Sequence, residues 1–326
     1  MLGEFDLIAR YLKPLAADEP AALSLSDDAA VLTPPSDEDL VLAADAMVAG
    51  IHFLRDDPAE TVGRKLLRVN LSDLAAMGAR PLGYLMTLAL PAELEEPWIA
   101  AFAEGLAADQ AAFGLHLLGG DITRIAGPLT ASLTILGAVP RGRRLTRAGA
   151  RPGDRLYLSG PIGDAGLGLA LLQGRLRLDD AEGREALVER YRLPRPRLAL
   201  GRGLLAEGLA SAAIDVSDGL LADAGHIAEA SGCRLEIEAG RVPRSAAAEA
   251  LLAAEPARVL ERLAAGDDYE LLFSAPEAAG QGLSALAARL DSPLTEIGVV
   301  TEGAGVALLG EGGQEIDLGR AGWTHF

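Results

Sequence analysis

The stretch from Ala213 to Cys233, AIDVSDGLLADAGHIAEASGC, joins a short apolar run to an amphipathic one through two acids, a serine and a glycine. A strand that reaches Asp215, turns through Ser217, Asp218 and Gly219, and restarts as a helix belongs to few architectures. It calls for a sheet with helices packed beside it and loops opening at the strand ends, which is an α/β arrangement. Two carboxylates three residues apart at such a junction repel each other. Something positive belongs between them.

The 326 residues suffice for two ordinary domains or one large one. Half of them (50%) are hydrophobic and 4% are aromatic, so the core is built from Leu, Ala, Val and Ile, as in soluble α/β proteins. No apolar run approaches the roughly 18 residues that span a bilayer. The start, MLGEFDLIARYL, reads as an amphipathic helix with early acids and lacks the basic and apolar regions of a signal peptide; a cytoplasmic location is expected. Cys233 is the lone cysteine, which excludes an internal disulfide and a cysteine-rich zinc site and reads most simply as a small core residue. A formal charge of −18 argues against nucleic acid or an acidic membrane as partner. The lysines are Lys13 and Lys65, and neither follows a glycine-rich loop, so a G-x-x-x-x-G-K-[ST] phosphate loop is absent. If phosphates are handled here, metal ions, arginines and backbone amides must neutralise them.

Along the chain, residues 1–18 read as a helix, followed by LSLSDDAAVL and by a buried strand LVLAAD that ends at Asp45. Residues 58–79 read as a long helix with Pro58 at its start, PLGYLMTLALP as a strand, and EPWIAAFAEGLAADQAAFG as a second helix stopped by Gly114. HLLGGD then reaches a glycine pair, and PLTASLTILGAV is a strand. The expected order is β-β-α-β-α-β, ending near Val139. The arginine-, proline- and glycine-rich residues 140–149 read as a linker between domains spanning 1–139 and 150–326. In the second half, RLYLSG, YELLFSAP, TEIGVV and GVALLG read as strands. DAGLGLALLQG, 197–209 and 280–290 read as helices, the acid pairs at 56–57 and 179–180 as solvated loops, and 190–197 as a connector.

Acids recur at strand ends and helix starts: Asp27 and Asp28, Asp45, Asp73, Asp121, Asp215 and Asp218. One such acid is ordinarily a helix cap or a turn former. Asp73 lies inside a helix beside LAAMG, where capping is a weak explanation. As a set, carboxylates converging without lysine suit hard cations, and magnesium takes oxygen ligands together with substrate phosphates. The Gly119–Gly120 pair lets a phosphate approach backbone amides, and a helix N-terminus adds a favourable dipole.

The blocks GEFDLIARYL, VAGIHF, VNLSDLAAMGARP, LGGDITR, LTRAGARPGD, IDVSDGL and GDDYELLFSAP, in this order, resemble thiamine-monophosphate kinase. The resemblance runs from Gly3 to Phe326. It implies the two-domain α/β (α+β) fold of the aminoimidazole ribonucleotide synthetase superfamily. The N-terminal sheet would form a dimer interface, and the C-terminal α/β domain would cover the nucleotide. It implies ATP-dependent phosphorylation of thiamine monophosphate to thiamine diphosphate by in-line, magnesium-assisted transfer in a homodimer. It implies that Asp28, Asp45, Asp73, Asp121, Asp215 and Asp218 bind several magnesium ions, with Asp73 and Asp121 at the catalytic centre. Gly120, Asp121, Arg147 and Ser217 resemble the nucleotide-contacting positions, and His52, Asp267 and Trp323 those contacting thiamine monophosphate. The chain departs from the family pattern at Ser26, where relatives have glycine, and at Ala43–Ala44, where relatives often carry a hydroxyl. It also departs at Asp267, where many relatives have glutamate.

Other readings stand beside this one. A synthetase of the same superfamily would use similar metal ligands, although a selenophosphate synthetase wants a reactive cysteine near the N-terminus. A non-catalytic nucleotide-binding protein would not need so many converging acids. On residue type alone His52, between Ile51 and Phe53, is a packed histidine, and Trp323 is equally an anchor for the tail. His116 and His226 carry no motif.

Overall fold

The computed structural model describes residues 3–254, 258–316 and Gly322. Trp323 lies outside them. The chain divides into one unit of residues 1–74 and 79–143 and a second of residues 75–78 and 144–326.

In the first unit the expected helix over 1–18 is broken. A single turn α1 (Glu4–Leu7) runs into a wider turn (Ile8–Leu12) and then a 3₁₀ turn (Lys13–Ala16). Pro14 sits at the break, where its ring and missing N–H stop α-helical continuation. The segment LSLSDDAAVL forms no strand. Leu23, Ser24 and Leu25 take consecutive left-handed conformations (φ 49°, 56° and 50°), which cannot join a ladder.

Six elements follow: β1 (Glu38–Val48), α2 (Ala59–Met77), β2 (Arg80–Pro91), α3 (Glu96–Phe113), β3 (His116–Ile125) and β4 (Thr130–Pro140). The order is therefore β-α-β-α-β-β, which corrects the expected β-β-α-β-α-β. HLLGGD is the first half of a full strand, and the sheet runs β1-β4-β2-β3 with β2 and β3 parallel. Alternation decides which face packs. Tyr84, Met86, Leu88, Leu133 and Ile135 are buried, whereas Leu40, Leu42 and Leu85 are exposed on the other side, Leu42 to 63%. Between α2 and α3 the buried Asp109 accepts from Arg64 Nε at 3.1 Å and from Arg68 Nη2 at 3.0 Å. The two helices approach so closely that a Cβ on Gly105 would stand 2.1 Å from the Glu60 carbonyl oxygen.

The second unit contains β5 (Arg155–Leu158), α4 (Asp164–Leu172), α5 (Ala181–Arg192), α6 (Leu198–Glu207), β6 (Ala212–Val216), α7 (Leu220–Ser231) and β7 (Arg234–Glu238). It continues with α8 (Ala246–Ala254), α9 (Arg258–Glu261), β8 (Glu270–Ala275), α10 (Gly280–Leu290), β9 (Thr295–Thr301) and β10 (Gly305–Leu309). The acid pair at 179–180 is exposed, as expected, and lies just before α5, whereas Asp57 of the pair at 56–57 is buried and its Oδ2 accepts from Leu54 N at 2.8 Å. The Asp180 side chain accepts from Gly183 N at 3.1 Å and so caps α5, which extends into the expected connector. The strands form one mixed sheet, β10-β7-β9-β5-β8-β6. Its core gathers Leu156, Leu158, Ile214, Val216, Leu235 and Leu272, with Leu220, Ala224 and Ile227 of α7 among them.

Glu270, fully buried at the start of β8, holds this unit together electrostatically. It accepts both Nε and Nη2 of Arg197 at 2.6 Å, a second guanidinium from Arg190, and the Ser159 hydroxyl. Burial pushes its carboxyl up, but the bidentate Arg197 and then Arg190 outweigh that and hold it below the usual glutamate range. A depressed folded-state pKa gives stability that is present above the ordinary glutamate pKa and is lost as pH falls through the folded value. Glu270→Gln should therefore cost about 3–5 kcal/mol at neutral pH, because it leaves the buried Arg190 and the half-buried Arg197 uncompensated. It should also flatten the acid limb of stability. Urea melts from pH 7 down to 3 check both, and an unchanged neutral midpoint would refute the role.

Candidate active site

β6 ends at Val216 and α7 begins at Leu220, so Ser217, Asp218 and Gly219 form a three-residue turn between them. Asp215, 6% exposed, is the penultimate residue of β6 and pairs with Leu271 of β8. The turn is held on two sides. On the carbonyl side, Asp267 N donates to Ser217 O and Tyr269 N to Val216 O, both at 2.8 Å. On the amide side, the N–H groups of Ser217, Asp218 and Gly219 all donate to Asp223 Oδ2, at 3.0, 3.0 and 3.1 Å. Burial first, and then the charge of Asp215, push the Asp223 carboxyl up to about 7, against the pull of the amides.

The GDDYEL segment faces the turn in an unusual backbone conformation. Asp267 and Tyr269 have φ of 72° and 52°, and the Tyr269 hydroxyl lies 3.4 Å from Asp267 Oδ1. Asp267 is half-buried. Its neighbours serve the framework instead. The buried Asp268 accepts from Gly163 N at 2.7 Å and Ala165 N at 3.3 Å, so it occupies the start of α4. Burial drives its carboxyl well above the usual range. The buried Arg262 donates to the carbonyls of Ile162, Val242 and Pro243. Arg147 is exposed, in a segment fastened to the end of α7: Ser231 Oγ donates to Arg147 O and accepts from Gly149 N and Ala150 N. The second unit thus brings Asp215, Ser217, Asp218 and Asp267 into one neighbourhood.

In the first unit the ladder sets Asp45, Leu133, Met86 and Gly120 in one row across the four strands. Ala46, Ser132, Thr87 and Asp121 make the next row. Asp45 and Asp121 thus lie in adjacent rows on the two outer strands, three strand spacings or about 14 Å apart at the backbone. One ion cannot touch both within a single chain. Among the described residues, no three His, Cys, Asp or Glu side chains cluster tightly enough to enclose an ion. The hydroxyls beside Asp45 come from β4, where Thr134 stands opposite Ala44 and Ser132 Oγ donates to Asp45 O at 3.2 Å. Asp28 is exposed in the segment before β1, and Asp73 is half-buried near the end of α2.

Gly120 has φ of 153°, and a Cβ there would fall 1.8 Å from Met86 O, so the backbones of β2 and β3 meet where no side chain fits. His52 follows β1 in a tight turn. Its Nδ1 accepts from Val48 N at 3.0 Å, so in the neutral ring the proton sits on Nε2. The buried Lys65 donates to the His52 carbonyl at 3.0 Å. The ring orientation is set by Val48 N, and the residue's backbone carbonyl is held by Lys65. Sequence reasoning missed Asp223 and Lys65. An acid in the first turn of α7 was the available signal for Asp223; nothing local pointed to Lys65.

Comparison with known proteins adds an independent line. Residues 26–139 match the family model for the AIR synthase related protein, N-terminal domain, and residues 151–311 match the C-terminal domain. The chain is 45% identical to the thiamine-monophosphate kinase of Caulobacter vibrioides over 99% of its own length and 90% of that protein's. Its fold is similar to the crystal structure of thiamine-monophosphate kinase from Stenotrophomonas maltophilia, with a TM-score of 0.85, 42% identity, and coverage of 97% and 98% of the two chains. It is also similar to AaThiL complexed with AMPPCP and TMP, with a TM-score of 0.79 at 32% identity, covering 100% of this chain and 97% of the other.

The Gly120 geometry is directly testable. Gly120→Ala forces a methyl group against backbone that cannot move aside, and should cost about 2–4 kcal/mol with a matching loss of activity. At Gly119 the nearest obstacle to a Cβ is the flexible Leu85 side chain at 3.3 Å, so Gly119→Ala should keep its melting temperature. Equal melting temperatures for the two variants would refute the close-approach argument.

Proposed function

The chain belongs to the thiamine-monophosphate kinase family, and from that premise we propose how its residues divide the work. The enzyme transfers the γ-phosphoryl group of ATP to thiamine monophosphate, giving thiamine diphosphate and ADP. The acceptor is a phosphate oxygen that is already ionised at neutral pH. The protein therefore needs no strong general base, and its task is to align two anions and offset their repulsion.

Asp28, Asp45, Asp73, Asp121, Asp215 and Asp218 are the ligands we propose for magnesium. The donor set is entirely oxygen, which suits a small hard cation, and the spacing of Asp45 from Asp121 suits several ions better than one. Bound magnesium supplies charge neutralisation at the phosphate oxygens. Asp73 and Asp121 are assigned to the catalytic centre. Gly120, Arg147 and Ser217 meet the nucleotide, Gly120 through backbone that no side chain obstructs. His52, Asp267 and Trp323 meet thiamine monophosphate, with His52 offering its Nε2–H as donor. The observation that carries this division is the shared backbone of the second unit, where Asp267 N–H binds Ser217 O and so joins the substrate-side position to the nucleotide-side one.

A homodimer and a cytoplasmic location complete the proposal. The open face of the N-terminal sheet exposes Leu40, Leu42 and Leu85, an apolar surface suited to a second copy. Cys233 is a free, buried thiol, and no described helix is long and apolar enough to cross a membrane. The net charge of −18 disfavours nucleic acid as a partner.

Incubation with ATP, magnesium and thiamine monophosphate should yield thiamine diphosphate and ADP in equal amounts, and none when magnesium is chelated. Asp73→Asn should lower turnover by at least about a hundredfold at saturating magnesium while leaving the melting temperature nearly unchanged. Near-normal turnover in that variant would remove Asp73 from the metal set. Sedimentation at micromolar concentration should show a dimer, and Leu42→Glu should shift it to monomer; a wild-type monomer would end the interface assignment.

A further inference from the structure

Three successive N–H groups curled around one point beside a helix start form the concavity that in many proteins receives an external anion. In the turn between β6 and α7 that concavity is already filled. Asp223 Oδ2 accepts all three amides, and its residue is 2% exposed. A phosphate cannot use these amides without expelling the carboxylate from its buried position.

The arrangement also differs from an ordinary helix cap. A capping side chain precedes the helix and accepts from amides inside the first turn. Asp223 lies inside α7 and reaches back to amides that precede the helix, with Gly219 as the N-cap residue and Ser217 and Asp218 beyond it. Its effect falls on the turn. The carbonyl side of the same turn is pinned separately, by Asp267 N on Ser217 O and Tyr269 N on Val216 O. Gly266 packs so close that a Cβ there would lie 2.4 Å from Ser217 O. The peptide units 216–217 and 217–218 are thus held at both their carbonyl and their amide ends, and the unit 218–219 is held through its amide on the Asp223 oxygen.

We infer that Asp223 is a positioning residue for phosphoryl transfer. Its Oδ2 is an internal acceptor that sets the curl of residues 217–219 and so aims the side chains of Ser217 and Asp218. The inference rests on the assignment of Ser217 to nucleotide and of Asp215 and Asp218 to magnesium. It adds that the turn meets phosphate through those side chains and their ions, because its amides are occupied.

The test compares Asp223→Ala, Asp223→Asn and Asp218→Asn with the wild-type chain. In the ligand-free proteins, hydrogen exchange at the amides of 217–219 reads the clamp directly. Asp223→Ala should expose these amides while the β8 amides stay protected, and Asp223→Asn, which keeps the shape and one acceptor oxygen, should fall between. The magnesium concentration for half-maximal activity should rise roughly 10–100-fold in Asp223→Ala, the range for loss of an outer partner of a metal ligand. Added formate, which returns a carboxylate to the empty cradle, should restore part of that loss. If Asp223→Ala does not fold, Asp223→Asn carries the same two readouts. Unchanged exchange at 217–219, or faster exchange with a wild-type magnesium requirement, would overturn the inference. An unchanged magnesium requirement in Asp218→Asn would instead overturn the ligand assignment on which it rests.

Discussion

A carboxylate taken out of water must be met by a cation or by N–H groups, since leaving it unpaired costs several kcal/mol. This chain meets that demand in two chemically distinct ways. Acids that fasten elements together receive guanidiniums: Asp109 takes Arg64 and Arg68 between two helices, and Glu270 takes Arg190 and Arg197 at the head of a strand. Acids that shape loops receive backbone amides: Asp223 takes three, Asp268 takes those of Gly163 and Ala165, and Asp180 takes that of Gly183. The distinction has a physical basis. An arginine placed beside a metal-binding turn competes with the metal for the same oxygens. A backbone amide carries a small fixed charge, holds a shape, and leaves the loop's other carboxylates to the magnesium proposed there.

Local signals made much of the architecture legible. Gly114 closes α3 in the left-handed conformation, the alternation along β2 buries Tyr84, Met86 and Leu88, and each acid of the turn falls where strand gives way to helix. Failures came where a local signal was ambiguous. The acid pair at 56–57 has a solvated composition, yet Asp57 is buried and accepts from Leu54 N. LSLSDDAAVL has strand-like alternation, yet its backbone turns left-handed at three successive residues. The glycines of HLLGGD hid a strand because glycine ordinarily weakens one, whereas here Gly120 is required by the approach of Met86.

Other features are long-range and have no local signature. The separation of Asp45 from Asp121 follows from the pairing order β1-β4-β2-β3, which no stretch of sequence states by itself. GDDYEL likewise reads as one motif, but its acids part company. Asp267 faces the turn, Asp268 closes the start of α4, and Glu270 is locked under two arginines. Single-residue spacing on an irregular backbone sends neighbouring carboxylates to different tasks. Composition cannot show this.

On the roles proposed for Asp267 and Ser217, that parting of acids ties substrate choice to phosphoryl transfer. Asp267, proposed to meet thiamine monophosphate, is bound through its own N–H to the carbonyl of Ser217, proposed to meet the nucleotide, over 2.8 Å. Asp268, one residue on, is anchored in the buried start of α4, and Glu270 in the arginine cluster, so the segment carrying Asp267 has little freedom to adjust alone. A ligand that pulls Asp267 from its position must strain that hydrogen bond and the turn behind it, which Asp223 holds from the other side. A ligand that leaves Asp267 in place leaves the nucleotide turn undisturbed. Discrimination between acceptors then needs no moving lid in this unit. It follows from a rigid backbone shared by the two positions, whose misfit at one end is felt at the other.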